Sequence, residues 1–457
     1  MTEEEGRGLV GENAALRAEN ALLRRLVADL QEQLEVLSGQ VTELEKRRKT
    51  PSFVKANRPR KEEAGTERKK RAAKHNQARR REEPTRIERH AVEECATCGY
   101  HLRGESEVYR RQVIELPEPQ PVEIIEHRII KRRCPVCQAW QQPAIDWSAQ
   151  VIGQGRVGVR LGALIVYLRQ SLRAPVRVIQ AYLATIHQAR LSVGEISELL
   201  KRLHRQVRPA INQLKAEVQQ QPVVHGDETG WREDGQNGYV WCLATDGAAA
   251  IRYYEYDRRR NREVVTRLIG SDFRGHLVSD FYGAYNVYSG PHQRCWVHLL
   301  RDLHQLQEEH AADGEIVAWA LAVRYQYQDA QQAQEMVDRA ERQRLYAVLW
   351  RRTELLGLQY AAVKKHPCQA LAKRLLRHLD ELYQFVLHPE VPADNNLAER
   401  TLRPVVVQRK ISGGTRSRAG SETHLGLASL FATWQARRLN PYQEFLKLLV
   451  QPAALSP

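Results

Sequence analysis

Three acidic residues stand in short motifs: Asp227 in "GDETGW", Asp280 in "SDFYGAY" and Glu399 in "DNNLAER". Arg400, Arg403, Arg409 and Lys410 follow Glu399 closely. On an exposed helix such a mixture makes solvated ion pairs of little consequence. If the three carboxylates converge, a different chemistry opens. Their oxygens suit a hard divalent cation, Mg²⁺ or Mn²⁺. Two such ions activate an attacking oxygen and stabilise a leaving one in an in-line displacement at phosphorus. The neighbouring Arg and Lys side chains would meet the phosphates that carboxylates alone repel.

Convergence depends on the elements that carry these residues. Residues 222–225 read as a short strand ending at Asp227, and 238–246 and 250–257 as two further strands at hairpin spacing. "NREVVTRLIG" reads as a helix, "GHLVSDFYGAY" as a strand ending at Asp280, and "HQRCWVHLLRDLHQL" as a strand running into a helix. The order is that of a ribonuclease-H-like mixed α/β sheet. Its first and fourth strands are neighbours, so Asp227 and Asp280 should project from adjacent strand ends. Glu399, on a later helix, would complete the cluster. Glu228 should point to the other side of its strand. Asp394 either faces elsewhere or caps its helix. Asp246 and Asp257 look like turn residues, and Asn395 and Asn396 either support the site or start the helix.

A second donor set lies upstream. Cys95 and Cys98, then Cys134 and Cys137, form two CxxC pairs. "VYRRQVIEL" and "VEIIEHRIIKRR" lie between them with strand-like composition. Four thiolates in this arrangement match a zinc ribbon. Arg132 and Arg133 decorate it and suit contact with DNA.

The formal net charge is +15, and 16 Lys/Arg against 3 Glu between Lys46 and Arg81 place +13 of it on one arm. A basic arm ending in Arg79, Arg80 and Arg81 reads as a flexible contact to a polyanion, most simply nucleic acid. Before it, Leu9, Leu16, Leu23, Leu30, Leu37 and Leu44 recur every seven residues, which predicts a coiled coil and self-association as a dimer or higher. "SVGE" at 192–195 is a capping box opening a helix. With the helix before it, it is compatible with a helix-turn-helix and equally with plain helical packing. No apolar run is long enough to span a bilayer, and no signal peptide opens the chain. The expectation is a cytoplasmic, nucleoid-associated protein that does not engage membrane.

Taken in order, these motifs resemble the DDE transposases of the insertion sequence 66 family over nearly the whole chain, down to "NPYQEFLKLL" near the C-terminus. The resemblance implies that Asp227, Asp280 and Glu399 are the catalytic triad, with a helical insertion between the last two. Cys295 and His298 stand where such transposases often carry C-x-x-H. It also implies an enzyme of a bacterial insertion sequence. Such an enzyme binds the terminal inverted repeats, cleaves 3′ phosphodiesters and joins the freed 3′-OH to target DNA, with accessory transposition proteins as further partners. Two alternatives stay open: a DNA-binding regulator derived from a transposase, and a ribonuclease-H-like nuclease without strand transfer. The expected organisation is multidomain. It comprises a zipper at 1–49, a basic linker at 50–85, a zinc module at 86–150 and a helical region at 151–221, compatible with a DNA-binding helix-turn-helix or with plain helical packing. The catalytic core occupies 222–302 and 391–437 around the insertion at 303–390, and a C-terminal element follows at 438–457.

Overall fold

The computed structural model describes residues 82–450. The heptad leucines and Arg79, Arg80 and Arg81 lie outside the described residues. The chain forms two compact units, one ending at Glu115 and one beginning at Leu116.

In the first unit the described residues are mostly irregular. One antiparallel bridge, Glu94 to His101, closes a turn around Cys95 and Cys98. In the second unit, β1 (Arg132–Arg133) and β2 (Trp140–Gln141) pair antiparallel around Cys134 and Cys137. The strand-like runs between these turns form no ladder: residues 102–131 hold no strand, and Val108, Ile114 and Ile124 are largely exposed. β-branched composition describes a fit to a pleated, half-buried surface. Without a neighbouring strand to bury against, it does not make a strand.

Three helices follow: α1 (Val159–Gln170), α2 (Val176–His187) and α3 (Val193–Val218). The capping box is formed, with Ser192 Oγ accepting from the Glu195 amide and the Glu195 carboxylate accepting from the Ser192 amide. Ile196, Leu199, Leu200, Leu203, Val207, Ile211, Leu214 and Val218 fall on one face of α3 and are buried.

The five-stranded sheet holds β3 (Val223–Glu233), β4 (Gln236–Ala244) and β5 (Arg252–Asp257). Helix α4 (Arg262–Ile269), β6 (His276–Ser279) and β7 (His292–Arg294) come next. The spatial order is β5-β4-β3-β6-β7, with β4 antiparallel to both neighbours and β3, β6 and β7 parallel. β4 reads as the unbroken run Val240, Trp241, Cys242, Leu243 and Ala244, all buried, because both faces of this strand are covered.

β3 is longer than its sequence suggests. Its parallel pairing with β6 stops at His225, but its antiparallel pairing with β4 continues to Glu233. Asp227 therefore sits within the strand rather than at its end.

After β7, α5 (Trp296–Glu309), α6 (Gly314–Gln331), α7 (Arg339–Ala361), α8 (Gln369–Arg377) and α9 (Gln384–Leu387) build the insertion around their own apolar core, which reaches Val278 of β6. Helices α10 (Asn396–Ser412) and α11 (Arg418–Ala436) return to the sheet, and α12 (Pro441–Val450) packs on α1. Outward-facing groups of β5 meet side chains of α11. The amides of Arg252 and Tyr254 donate to Thr433 Oγ1 (3.0 Å) and Ser429 Oγ (2.9 Å).

His424 of α11 stacks on Trp231 of β3, ring centroids 5.6 Å apart. Burial, together with the Arg169 charge, pushes this imidazole down from 6.5 to about 3. The unfolded chain takes up a proton there near pH 6.5 and the folded chain does not. The neutral ring's contribution to stability is thus complete above that pH and is lost as pH falls toward 3. His424→Phe, which keeps the stack, should flatten that acid limb by up to about 1.4 kcal/mol per pH unit. Thermal unfolding across pH 4–7 measures it, and parallel curves for both proteins would contradict the assignment.

Candidate active site

The ladder between β3 and β6 pairs Val223 with His276, Val224 with Leu277 and His225 with Val278. Carried on by two residues, the same register sets Asp227 level with Asp280, which follows directly on β6. Across the other edge Asp227 pairs with Cys242. Cys242 belongs to the apolar cluster shared with Leu397, Leu402 and Val405 of α10. Asp227 thus lies on the sheet face that α10 covers.

Glu399 stands in the first turn of α10. Asn395, fully buried, braces that helix to β3: its Nδ2 donates to the Gly226 carbonyl (2.8 Å), and its Oδ1 accepts from His225 Nδ1 (3.0 Å). Burial holds His225 down at about 4, so the ring is neutral and Nδ1 can carry the shared proton. The Asn395 amide also donates to Cys295 Sγ (3.2 Å), just ahead of α5. The same short segment therefore ties the strand, α5 and α10 together. Asn395→Ala would leave the Gly226 carbonyl and His225 Nδ1 unpaired, at about 1–3 kcal/mol each. It should lower the melting temperature and displace Glu399. An unchanged melting temperature would show that the brace bears no load.

The charges meet at Asp227. Burial, with the charges of Glu228, Asp280 and Glu399 added, pushes its carboxyl up to about 8, against the pull of the Glu228 amide that donates to Asp227 Oδ1. The Asp280 carboxylate accepts from the Tyr282 amide at 2.9 Å. Glu399 Oε1 lies 3.6 Å from His298 Nε2 and 4.0 Å from Arg301 Nη2. His298, an uncommitted residue in the sequence, is therefore a neighbour of Glu399.

Among the described residues, no three His, Cys, Asp or Glu side chains are gathered closely enough to hold a metal. The charges of Asp280 and Glu399 are felt at Asp227 without the three closing a cage. As a donor set they still fit a hard cation. They are carboxylate oxygens, partly buried, and their mutual repulsion is uncompensated at Asp227.

The other acids have separate duties. Glu228 faces the opposite side of β3, where it accepts both from Arg260 (2.6 Å) and from the Tyr285 hydroxyl (2.7 Å). Asp394 accepts from the Asn396 amide (3.0 Å) at the start of α10. Asp246 and Asp257 accept from the turn amides of Gly247 and Arg259. Of the basic residues after Glu399, Arg400, Arg403 and Lys410 are exposed. Arg409 is committed elsewhere, donating to the Gly230 carbonyl of β3. Arg132 and Arg133 are exposed on β1.

Each CxxC pair forms a tight turn of its own. The Gly99 amide donates to the Cys95 carbonyl (2.9 Å), and the Gln138 amide to the Cys134 carbonyl (3.0 Å). Gly99 and Gln138 take positive φ, 71° and 60°, to close these turns. Backbone amides of Thr97 and Cys98 lower the Cys95 thiol, and those of Cys137 and Val136 lower Cys134. Both turns thus favour thiolate.

Comparison with known proteins is consistent with this arrangement. The family described as transposase IS66 matches residues 154–423, which contain all three carboxylates. An uncharacterized protein of Sinorhizobium fredii, y4jO, is 33% identical over 185 residues, 38% of this chain and 54% of that one. Two more from the same organism are 26% identical: y4qI over 227 residues, 44% of this chain and 41% of that one, and y4jD over 383 residues, 76% and 72%. The chain thus spans about half the length of the first two relatives.

Proposed function

The chain belongs to the IS66 transposase family, and from that premise we propose that it cuts and joins DNA through Asp227, Asp280 and Glu399. The reading is supported by Asp280 following directly on β6, the parallel neighbour of β3, together with the charges of Asp280 and Glu399 felt at Asp227. Divalent ions bound there would supply the activation of the attacking oxygen and the neutralisation of the leaving one.

The chain's own residues do the rest. Asp227 presents its oxygens from within β3 and Asp280 from the residue directly after β6, and Glu399 presents its own from the first turn of a braced helix. His298 and Arg301 hold Glu399 on the side facing α5. Arg400, Arg403 and Lys410 are free to meet phosphates along the DNA backbone. The substrate is DNA bearing the element's terminal inverted repeats, and the acceptor is target DNA. The products are 3′-OH ends joined to the target.

The test is a cleavage and joining assay with Mg²⁺ on the element's own ends. Release and transfer of 3′-OH ends support the reading. Cleavage without joining identifies a nuclease, and binding without cleavage a regulator.

The reading of Cys95, Cys98, Cys134 and Cys137 as zinc ligands rests on the two thiolate-favouring turns. Purified protein should then contain about one Zn²⁺ per chain. Cys95→Ser and Cys134→Ser should each lose it, and retention of zinc by both would refute the assignment. Self-association through the heptad leucines, and salt-sensitive DNA contact through Arg79, Arg80 and Arg81, rest on their sequence pattern.

A further inference from the structure

Arg294, the last residue of β7, is completely buried, an unusual place for a guanidinium unless every donor is used. Its Nη1 donates to the Asp280 carbonyl (2.8 Å) and to Ser279 Oγ (3.4 Å). Its Nη2 donates to Asn286 Oδ1 (2.5 Å), in the helical turn after Asp280. Its Nε donates to the Glu381 carboxylate, which belongs to the insertion. Glu381 also accepts from His378 Nδ1 (3.1 Å). The His292 ring reaches Ser279 Oγ at 2.8 Å. One planar fork thus gathers the end of β6, the turn that follows it and the insertion. Its geometry is fixed, as a lysine's would not be. Alongside it, Gln293 secures the same junction: its Nε2 donates to the Leu382 carbonyl (3.1 Å), and its Oε1 accepts from the Phe385 amide (3.0 Å).

We propose that Arg294 is a positioning residue for Asp280, and that Glu381 makes the insertion part of the active site by orienting that guanidinium. This rests on the reading of Asp280 as a metal ligand. β6 ends at Ser279, so Asp280 has no ladder bond of its own to fix it. Its carbonyl is held instead by Arg294 Nη1 and by the Ser279 hydroxyl, which Arg294 also contacts, and its carboxylate by the Tyr282 amide. Backbone and side chain of Asp280 are thereby each tied to a donor. The insertion touches no carboxylate of the triad through this route, and acts by anchoring the arginine that does the holding.

The experiment uses the full chain, free of DNA, titrated with Mn²⁺ and followed by electron paramagnetic resonance. Cleavage is measured in parallel against metal and DNA concentration. Arg294→Lys keeps the charge and loses the fork; Glu381→Gln keeps the shape and loses the charge. Each should weaken Mn²⁺ binding by about 10–100-fold, the usual effect of removing an outer partner of a metal ligand. The KM for DNA should stay unchanged, and kcat should largely recover at saturating metal. Asn286 is exposed, so Asn286→Ala folds whatever becomes of the others, and it should weaken Mn²⁺ by several-fold. If Arg294→Lys does not fold, Asn286→Ala decides. Mn²⁺ curves that superimpose on wild type, while Asp280→Asn no longer binds, would overturn the clamp and leave the triad standing. If Asp280→Asn itself binds Mn²⁺ and cleaves normally, the triad reading fails and the clamp goes with it.

Discussion

Asp227→Asn, Asp280→Asn and Glu399→Gln will each reduce DNA cleavage and joining by more than about 100-fold, beyond what loss of an outer partner produces. Each amide keeps the size of the side chain and removes the negative charge that would hold a cation. Folding and end binding should survive. At Asp227 the change even relieves a buried carboxyl that its neighbours already drive toward protonation. The three act on one pair of reacting oxygens, so double replacements should lose little more than single ones. Two controls sharpen the test. Glu228→Gln, on the far face of β3, keeps one acceptor oxygen for Arg260 and gives up the one that accepts from the Tyr285 hydroxyl, and Asp394→Asn keeps its acceptor at the start of α10. Both should retain substantial activity. Near-normal transposition by Glu399→Gln beside a dead Asp394→Asn would mean that α10 offers its acids to the metals in a different order.

Trp296→Ala is expected to be the most destabilising single change. The indole is fully buried where the insertion meets the sheet. It lies 5.2 Å from the Tyr327 ring and 5.5 Å from that of Tyr383, and Nε1 donates to the Leu382 carbonyl at 2.6 Å. Truncating a buried Trp costs about 3–5 kcal/mol, and here it also removes one of the two donors to the Leu382 carbonyl, leaving Gln293 Nε2. The melting temperature should drop by roughly 10 °C, and protease should cut the insertion sooner than the sheet. Trp296→Phe should recover much of the packing but not the hydrogen bond. If Trp296→Ala melts with wild type, the insertion is not held through this contact.

The order of strands and helices in the mixed α/β core was legible because each element is short, differently patterned and bounded by turn residues. Alternation placed Glu228 across β3 from Asp227, and the strand ends marked Asp246 and Asp257 as the turn residues they are. The length of β3 was hidden. "GDETGW" has the polarity of a loop, and only its partner β4 keeps it extended to Glu233. The runs on either side of "PEPQP" erred in the other direction, with strand composition and no neighbour. The supporting side chains could not be read from the sequence at all. Arg294 looks like any arginine before a cysteine, and Asn395 like any residue that starts a helix. Their partners, Glu381 and Gly226, lie 87 and 169 positions away. Such pairs are chosen by the folded topology, and no local period announces them.

The hydroxyls that meet β5 have an effect beyond packing. Ser429 and Thr433 lie one helical turn apart on α11 and fall on alternate residues of the strand, Tyr254 and Arg252. A margin of this kind ordinarily offers a row of vacant amides to any extended peptide that drifts past. Here those two amides are already occupied by side chains that cannot propagate a ladder. At the opposite margin, β7 is three residues long and Gln293 spends its own side chain on the insertion. Neither border invites a strand from another copy. Among the described residues, the borders of this sheet are thus shaped against strand addition, the contact through which sheets stitch into fibres.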